Sequence, residues 1–349
     1  MGTELFVCVW LGLHGVAPGA DTLTVMGWNL ENFFDWRNDS TSVSDADFSS
    51  WGERHWTRKR FYAKCHAIAK SVLWVASETG RLPDIIGVEE VEHAFVLRRL
   101  LDSTLLRKLD YRYVHFDSSD RRGIDVALLY RTSVLERVEA RPCHLYEPDG
   151  SVMQTRDILL CRFRRRGREP DADGFSGPLS GPEEDLAVLV NHHPSKYGGA
   201  AVSEPRRRIA VERLRFLADS LSAAGVRRII ALGDFNDTPA HPVYRLLEPA
   251  LIPLHTELYL QGEGTIKYDG KWDLIDHFYV SPAILYGDSG AEPGRRRGSP
   301  SVRMRVLSIP FLLVPDTAHA GLKPFRTYVG PRYTGGVSDH LPIWMEWVD

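Results

Sequence analysis

Six short stretches place acids, amides and imidazoles where apolar runs end. In Trp28-Asn29-Leu30-Glu31-Asn32 a carboxamide and a carboxylate alternate along the chain, so an extended backbone points Asn29 and Glu31 to one side. Both suit a hard cation or a phosphate oxygen. The apolar run Pro83 to Val88 ends in Glu89 and Glu90. An acid there is costly unless it is paired, exposed or metal-bound, and magnesium needs only one or two carboxylates. Val190-Asn191-His192-His193-Pro194-Ser195 offers His192 as a metal ligand or proton donor, whereas His193 alternates to the other face and reads as a buried, hydrogen-bonded structural residue. In Leu232-Gly233-Asp234-Phe235-Asn236-Asp237, Asp234 can take a proton from water and Asn236 can hold a phosphate oxygen. Asp276, in Trp272 to His277, could orient an imidazole, and Gly336 to Pro342 presents Asp339 and His340 side by side. Taken singly, turn-forming Asn, helix-initiating Glu and Asx turns explain most of these residues without chemistry.

Positioning such groups requires strands that end together. The chain alternates strand and helix patterns, which predicts an α/β layered fold. Strands are expected at Leu23–Trp28, Asp84–Val88, Tyr111–Phe116, Asp125–Tyr130, Leu186–Val190, Arg228–Leu232, Asp276–Val280, Met304–Ser308 and Ile343–Trp347. A helix should start after Thr57, a good N-cap, with Phe61, Cys65, Ile68, Val72 and Val75 on its core face. A short helix carries Leu97 and Leu100. A third begins near Ser203 with Pro205 in its first turn, buries Ala210, Leu214, Leu217 and Leu221, and stops at Gly225. The Gly-, Pro- and charge-rich stretches Arg164–Asp185 and Gly287–Pro300 read as surface loops, and neither separates two cores. One domain is therefore expected from Asp21 to Asp349.

The 349 residues, 43% of them hydrophobic, suffice for a large core. A net charge of −3 excludes nucleic-acid binding driven by bulk positive charge, although local arginine clusters could still serve. Cys8, Cys65, Cys143 and Cys161 have no zinc-site spacing. Leu5 to Val16 is apolar and Ala17-Pro18-Gly19-Ala20 follows, the pattern of a signal peptide over residues 1–20, although no Lys or Arg precedes the run and Glu4 and His14 weaken the pattern. Export to the periplasm or the exterior is expected, with a frayed cytoplasmic N-terminus as the alternative. That stretch is too short to span a bilayer, and no other segment qualifies.

Read in order, the six motifs closely resemble the endonuclease/exonuclease/phosphatase superfamily, which includes deoxyribonuclease I, abasic-site endonucleases, inositol-phosphate phosphatases and neutral sphingomyelinases. The match runs from Trp28 to Pro342, and Arg54-His55-Trp56-Thr57-Arg58-Lys59-Arg60 is similar to a bacterial, often exported, branch. The resemblance implies a four-layer α/β sandwich, two packed mixed sheets flanked by helices, with the site at one edge. It places Asn29 at the first active-site Asn and Glu90 at the metal-ligand Glu, with Glu31 and Asp339 on the metal side. Glu89 falls where many members carry Gln. His192, Asp234, Asn236, Asp276 and His340 take the catalytic positions: Asp234 as base, Asp276 orienting His340, His192 protonating the leaving oxygen. Asn29, Asn236 and His340 would hold phosphoryl oxygens, and Mg2+ or Mn2+ is the implied cofactor. The expected function is a monomeric, metal-dependent hydrolase of phosphate esters, foremost a phosphodiesterase or endonuclease with nucleic acid as a candidate substrate. A phosphomonoesterase, a sphingomyelinase-like phospholipase C and a non-catalytic phosphate-binding module are the alternatives.

Overall fold

The computed structural model describes residues 22–39, 42–166, 185–195, 200–287 and 301–348. The expected signal peptide lies outside them, as do nearly all of the first expected surface loop and all but the first residue of the second.

Strand β1 (Thr22–Phe33) shows why the chain forms layers. Leu23 and Val25 face one side and Met26, Trp28 and Leu30 the other, and both faces are apolar and buried. A strand apolar on both faces must be covered twice. Its outer face meets helices α1 (Arg58–Thr79) and α2 (Ala94–Ser103) through Phe61, Cys65, Ile68, Val72, Val75, Leu97 and Leu100. Thr57 caps α1 by accepting the Arg60 N–H at 3.4 Å, and Gly80 closes it in the left-handed conformation.

The first sheet has the order β11-β12-β1-β2-β4-β3, with β2 Ile85–Val91, β3 Tyr111–His115, β4 Asp125–Arg131, β11 Ser301–Val306 and β12 Ile343–Val348. The second has the order β5-β6-β7-β8-β10-β9, with β5 Leu135–Cys143, β6 Ile158–Arg165, β7 Asp185–His192, β8 Arg228–Asp234, β9 Ile252–Pro253 and β10 Asp276–Val280. Both are mixed: β1 runs parallel to β2 and β7 to β8, with antiparallel neighbours elsewhere. Between the sheets, Val25, Ile85 and Leu128 pack on Val188, Ile230 and Phe278. Gly27 and Gly87, register partners, let Leu232 of the opposite sheet close in; a Cβ on Gly87 would lie 2.8 Å from Leu232 Cδ1. Helix α3 (Ala200–Ala223) covers the other face with Ala210, Leu214, Leu217 and Leu221. The four-layer sandwich is as expected.

Strands β5, β6 and β9 are absent from the sequence reading, and helix α3 starts earlier than expected. β5 is an edge strand whose residues Glu136, Arg137 and Val138 are exposed, so it lacks a continuous apolar signal. β6 runs into the charged stretch that follows it. Helix α3 starts at Ala200, so Pro205 lies past its first turn.

Candidate active site

Register brings the motifs to one edge. In the second sheet, His192 pairs with Asp234 across β7 and β8, and Asp234 pairs with Asp276 across β8 and β10. In the first, Asn29 pairs with Glu89, and β12 starts beside the end of β1 because Ile343 pairs with Gly27. The ends of β1, β2, β7 and β8 thus meet the beginnings of β10 and β12.

Asp234 Oδ2 is the meeting point. Asn29 Nδ2 donates to it at 3.1 Å, His192 Nε2 lies at 3.6 Å and His340 Nε2 at 3.9 Å. His340 Nδ1 and Asp276 Oδ2 are hydrogen-bonded at 2.8 Å. The ligand-type atoms of Asp234, Asp276 and His340 all lie within 4.8 Å of one another. Asn236 donates its backbone N–H to Asp234 Oδ1 at 2.8 Å and its amide to the His193 carbonyl at 2.9 Å, so one amide hydrogen is already spent on the loop.

Backbone devices aim these groups. Glu31, Asn32, Glu90 and Asn236 have φ of 48°, 52°, 60° and 54°, in the left-handed region that non-glycine residues rarely adopt. Strand register shifts between Asn29 and Phe33 and between Glu89 and Val91. Such bulges redirect side chains and cluster at functional sites. The His340 loop is fixed from two sides. Trp28 Nε1 donates to the His340 carbonyl at 2.9 Å, and Ser338 Oγ donates to the Asn29 carbonyl at 2.6 Å while accepting the His340 N–H at 3.0 Å. Thr265 adds a third support: its carbonyl accepts the Leu341 N–H at 2.7 Å and its hydroxyl the Asp276 N–H at 3.4 Å.

Burial sets the charges. Desolvation pushes Asp234 up to about 7, against the pull of His340 and with a further push from Asp276. For His340 desolvation works the other way, but Asp276 and then Asp234 outweigh it and hold the imidazolium well above its ordinary range. His192 is held well below its ordinary value by burial and then by Arg156 and Arg122, which keeps it neutral. Glu89 is fully buried, neither carboxylate oxygen has a hydrogen-bond partner, and burial followed by Asp276 and Asp234 pushes it well above the carboxylate range. A neutral carboxyl there has the shape of the Gln expected at that position. Gly233 makes room for it, since a Cβ would lie 2.9 Å from Glu89 Oε1 and 2.0 Å from the Asn191 carbonyl. His193 is buried and packs on Phe235 at 4.5 Å between ring centroids, but neither ring nitrogen has a hydrogen-bond partner, so it is buried as expected without the expected hydrogen bond.

Glu31, Glu90 and Asp339 form a second group beside the first, threaded by cations that sequence reasoning missed. Arg326 Nη2 donates to Asp339 Oδ2 at 2.8 Å and its Nε lies 3.5 Å from Glu31 Oε1. Arg122 Nη2 lies 3.4 Å from Glu90 Oε1 and donates to Asn32 Oδ1 at 2.6 Å. Buried Lys64 donates to the Glu31 carbonyl and to Thr327 Oγ1 at 2.5 and 2.9 Å, and the Thr327 N–H donates to Glu31 Oε2 at 2.6 Å. Burial and Asp339 push Glu31 up to about 7. Neither Lys64 nor Arg326 sits in a motif; a cation opposite clustered acids is visible only in three dimensions. Glu31, Glu90 and Asp339 offer the hard oxygen donors that suit a divalent cation, and Glu31 is aimed by Asn29 Oδ1 accepting its backbone N–H at 2.9 Å; their ligand atoms are not gathered within 4.8 Å of one another as those of Asp234, Asp276 and His340 are. Among the described residues no helix is long and apolar enough to cross a membrane.

A four-layer sandwich with an Asp–His pair at the meeting edge of its two sheets defines a class of phosphoric ester hydrolases. The chain belongs to the endonuclease/exonuclease/phosphatase family, whose model matches residues 24–348. Its fold is similar to a family protein from Bacteroides thetaiotaomicron (18% identity, 94% of this chain and 98% of that one, TM-score 0.54). It is also similar to the mannosyl-6-phosphatase of the same organism (19% identity, 94% and 100%, TM-score 0.53) and to the human Nocturnin catalytic domain with bound sulfate (16% identity, 93% and 94%, TM-score 0.51). At these identities the likeness is one of fold. No curated protein sequence matches the chain.

Proposed function

We propose that the chain is a divalent-cation-dependent phosphodiesterase of the endonuclease type. The observation that carries this reading is the line from Asp276 through His340 to Asp234, spanning 2.8 and 3.9 Å and buried at the sheet edge. Asp276 holds the imidazolium of His340 in place, and its Nε2–H faces the space beside Asp234 where phosphoryl oxygens would sit. Asp234, with a proton affinity near neutral pH, accepts the proton of the attacking water. Asn29 orients Asp234 by its 3.1 Å bond and keeps its Oδ2 turned to the site. His192, being neutral, acts as a hydrogen-bonding group beside Asp234 rather than as an imidazolium acid. Glu31, Glu90 and Asp339 would hold the cation, which offsets charge on the phosphoryl group.

A second reading, a phosphomonoesterase, is favoured by Arg122 and Arg326, half-exposed cations beside the site that suit a dianionic phosphate. It gains support from the mannosyl-6-phosphatase among the similar folds. The test is hydrolysis of bis-p-nitrophenyl phosphate, p-nitrophenyl phosphate and plasmid DNA, each with excess chelator and then with added Mg2+ or Mn2+. Diester and DNA cleavage that the chelator abolishes and the cation restores is expected. Full activity in chelator would overturn the cation requirement, and cleavage of the monoester alone would favour the second reading.

A further inference from the structure

Arg326 is placed differently from the other cations at this edge. Its guanidinium contacts Asp339 and Glu31, and Glu90 also contributes to the field that raises its proton affinity against the effect of burial. All three carboxylates are those assigned above to the cation. Lys64 cannot leave, because it is buried and tied to the Glu31 carbonyl and to Thr327. Arg122 is shared with Asn32 and reaches only Glu90 among the three acids. The Arg326 side chain is 49% exposed, while its partners Asp339 and Glu31 are 23% and 6% exposed, so the guanidinium meets solvent and the carboxylates it pairs with are largely buried.

Its backbone, in contrast, is clamped. The Phe325 N–H donates to the Leu312 carbonyl at 2.7 Å, the Val337 N–H to the Phe325 carbonyl at 2.7 Å, and the Thr327 N–H to Glu31 at 2.6 Å. Gly336 packs so closely that a Cβ would lie 2.3 Å from the Arg326 carbonyl oxygen. Motion is therefore left to the side chain alone, swinging from a fixed base beside Asp339, whose Oδ1 is 4.0 Å from His340 Nε2.

Resting on the cation-dependent reading, we propose that Arg326 competes with the divalent cation for Glu31, Glu90 and Asp339, and that on exchange it transfers to the phosphate of the substrate. A guanidinium and a divalent ion repel one another at shared carboxylates. A planar guanidinium fork also matches phosphate oxygens in two parallel hydrogen bonds. Cation and phosphate thereby bind cooperatively: the cation frees Arg326 for the phosphate, and the phosphate, by holding Arg326, clears the carboxylates for the cation. Linkage requires the same factor in both directions.

The experiment is calorimetric titration of the full chain with MnCl2, with and without saturating phenylphosphonate, a non-hydrolysable phosphoryl oxyanion. In the parent, phenylphosphonate should tighten Mn2+ binding about fivefold or more. Arg326→Ala, its fold checked by circular dichroism, should bind Mn2+ alone about threefold to tenfold more tightly than the parent, with the effect of phenylphosphonate reduced to about twofold or less. Arg326→Lys, which keeps the charge without the fork, should retain the weaker Mn2+ binding and lose most of the coupling. Equal or weaker Mn2+ binding by Arg326→Ala, with hydrolysis still cation-dependent, would overturn this proposal alone. Absence of Mn2+ binding in both proteins, with hydrolysis surviving chelation, would overturn it together with the reading it rests on.

Discussion

His340 and Asp276 are separated by 64 residues, yet His340 Nδ1 and Asp276 Oδ2 lie 2.8 Å apart, both buried. The contact exists because β10 begins beside the end of β8 while the loop before β12 is tied to β1 and to Thr265. It joins one sheet to the other at the candidate active site.

Removing either partner should therefore cost turnover rather than folding. His340→Ala removes a charged donor aimed at the phosphoryl oxygens and should lower kcat on the order of a hundredfold or more. Asp276→Asn keeps the shape and loses the charge that sustains the imidazolium. Its defect should be of similar direction, and the double variant should lose far less than the product of the two single losses, because the groups act as a unit. Steady-state kinetics of the three variants decides this; multiplicative losses would count against a coupled pair.

Asp234 is pushed up to about 7, chiefly by burial. As a base it works only when deprotonated, so kcat/KM should rise with pH through a midpoint near 7. The rate is present above that pH and lost below it. Saturating cation should move the midpoint downward, since positive charge nearby favours the carboxylate. Asp234→Asn should abolish this limb and leave a low residual rate, which a pH–rate profile of the folded variant will show.

Glu89 makes a prediction about stability. Its folded-state proton affinity is raised well above that of the unfolded chain. The native state thus holds a proton that the unfolded state has lost above about pH 4.3. The sign is fixed: the proton-linked stability is fully present below that pH and is lost as pH rises toward the raised native value. Glu89→Gln, which supplies a neutral group of the same shape, should raise the melting temperature at pH 7 to 8 and leave it nearly unchanged near pH 4. A lower melting temperature at pH 8 would show that the carboxylate itself is needed.

Two glycines with positive φ should respond unequally to alanine. At Gly80, with φ 73°, an added Cβ would meet nothing within 4 Å, so the change should cost about 1 kcal/mol. Gly233, at φ 129°, would place its Cβ 2.0 Å from the Asn191 carbonyl oxygen, a backbone atom in a buried strand. Its strain alone is about 1–3 kcal/mol before the clash is added, so Gly233→Ala should unfold at markedly lower denaturant than Gly80→Ala.

The sequence by itself determined the alternation of strands and helices, the core stripe of α1 from Phe61 to Val75, and the order of the six motifs from Trp28 to Pro342. These are local properties: periodicity follows from the geometry of a single element, and a polar residue ending an apolar run is visible without its neighbours. The edge strand β5 escaped because its polar, exposed residues carry no such period. Tertiary structure alone decided that Asp234 gathers Asn29, His192 and His340, and that Glu89 is buried without a hydrogen-bond partner behind Gly233. It also decided that Arg326, a loop residue with no motif, stands among Glu31, Glu90 and Asp339. Charge and proton affinity depend on distance and desolvation, and both arise only when two sheets close on one another.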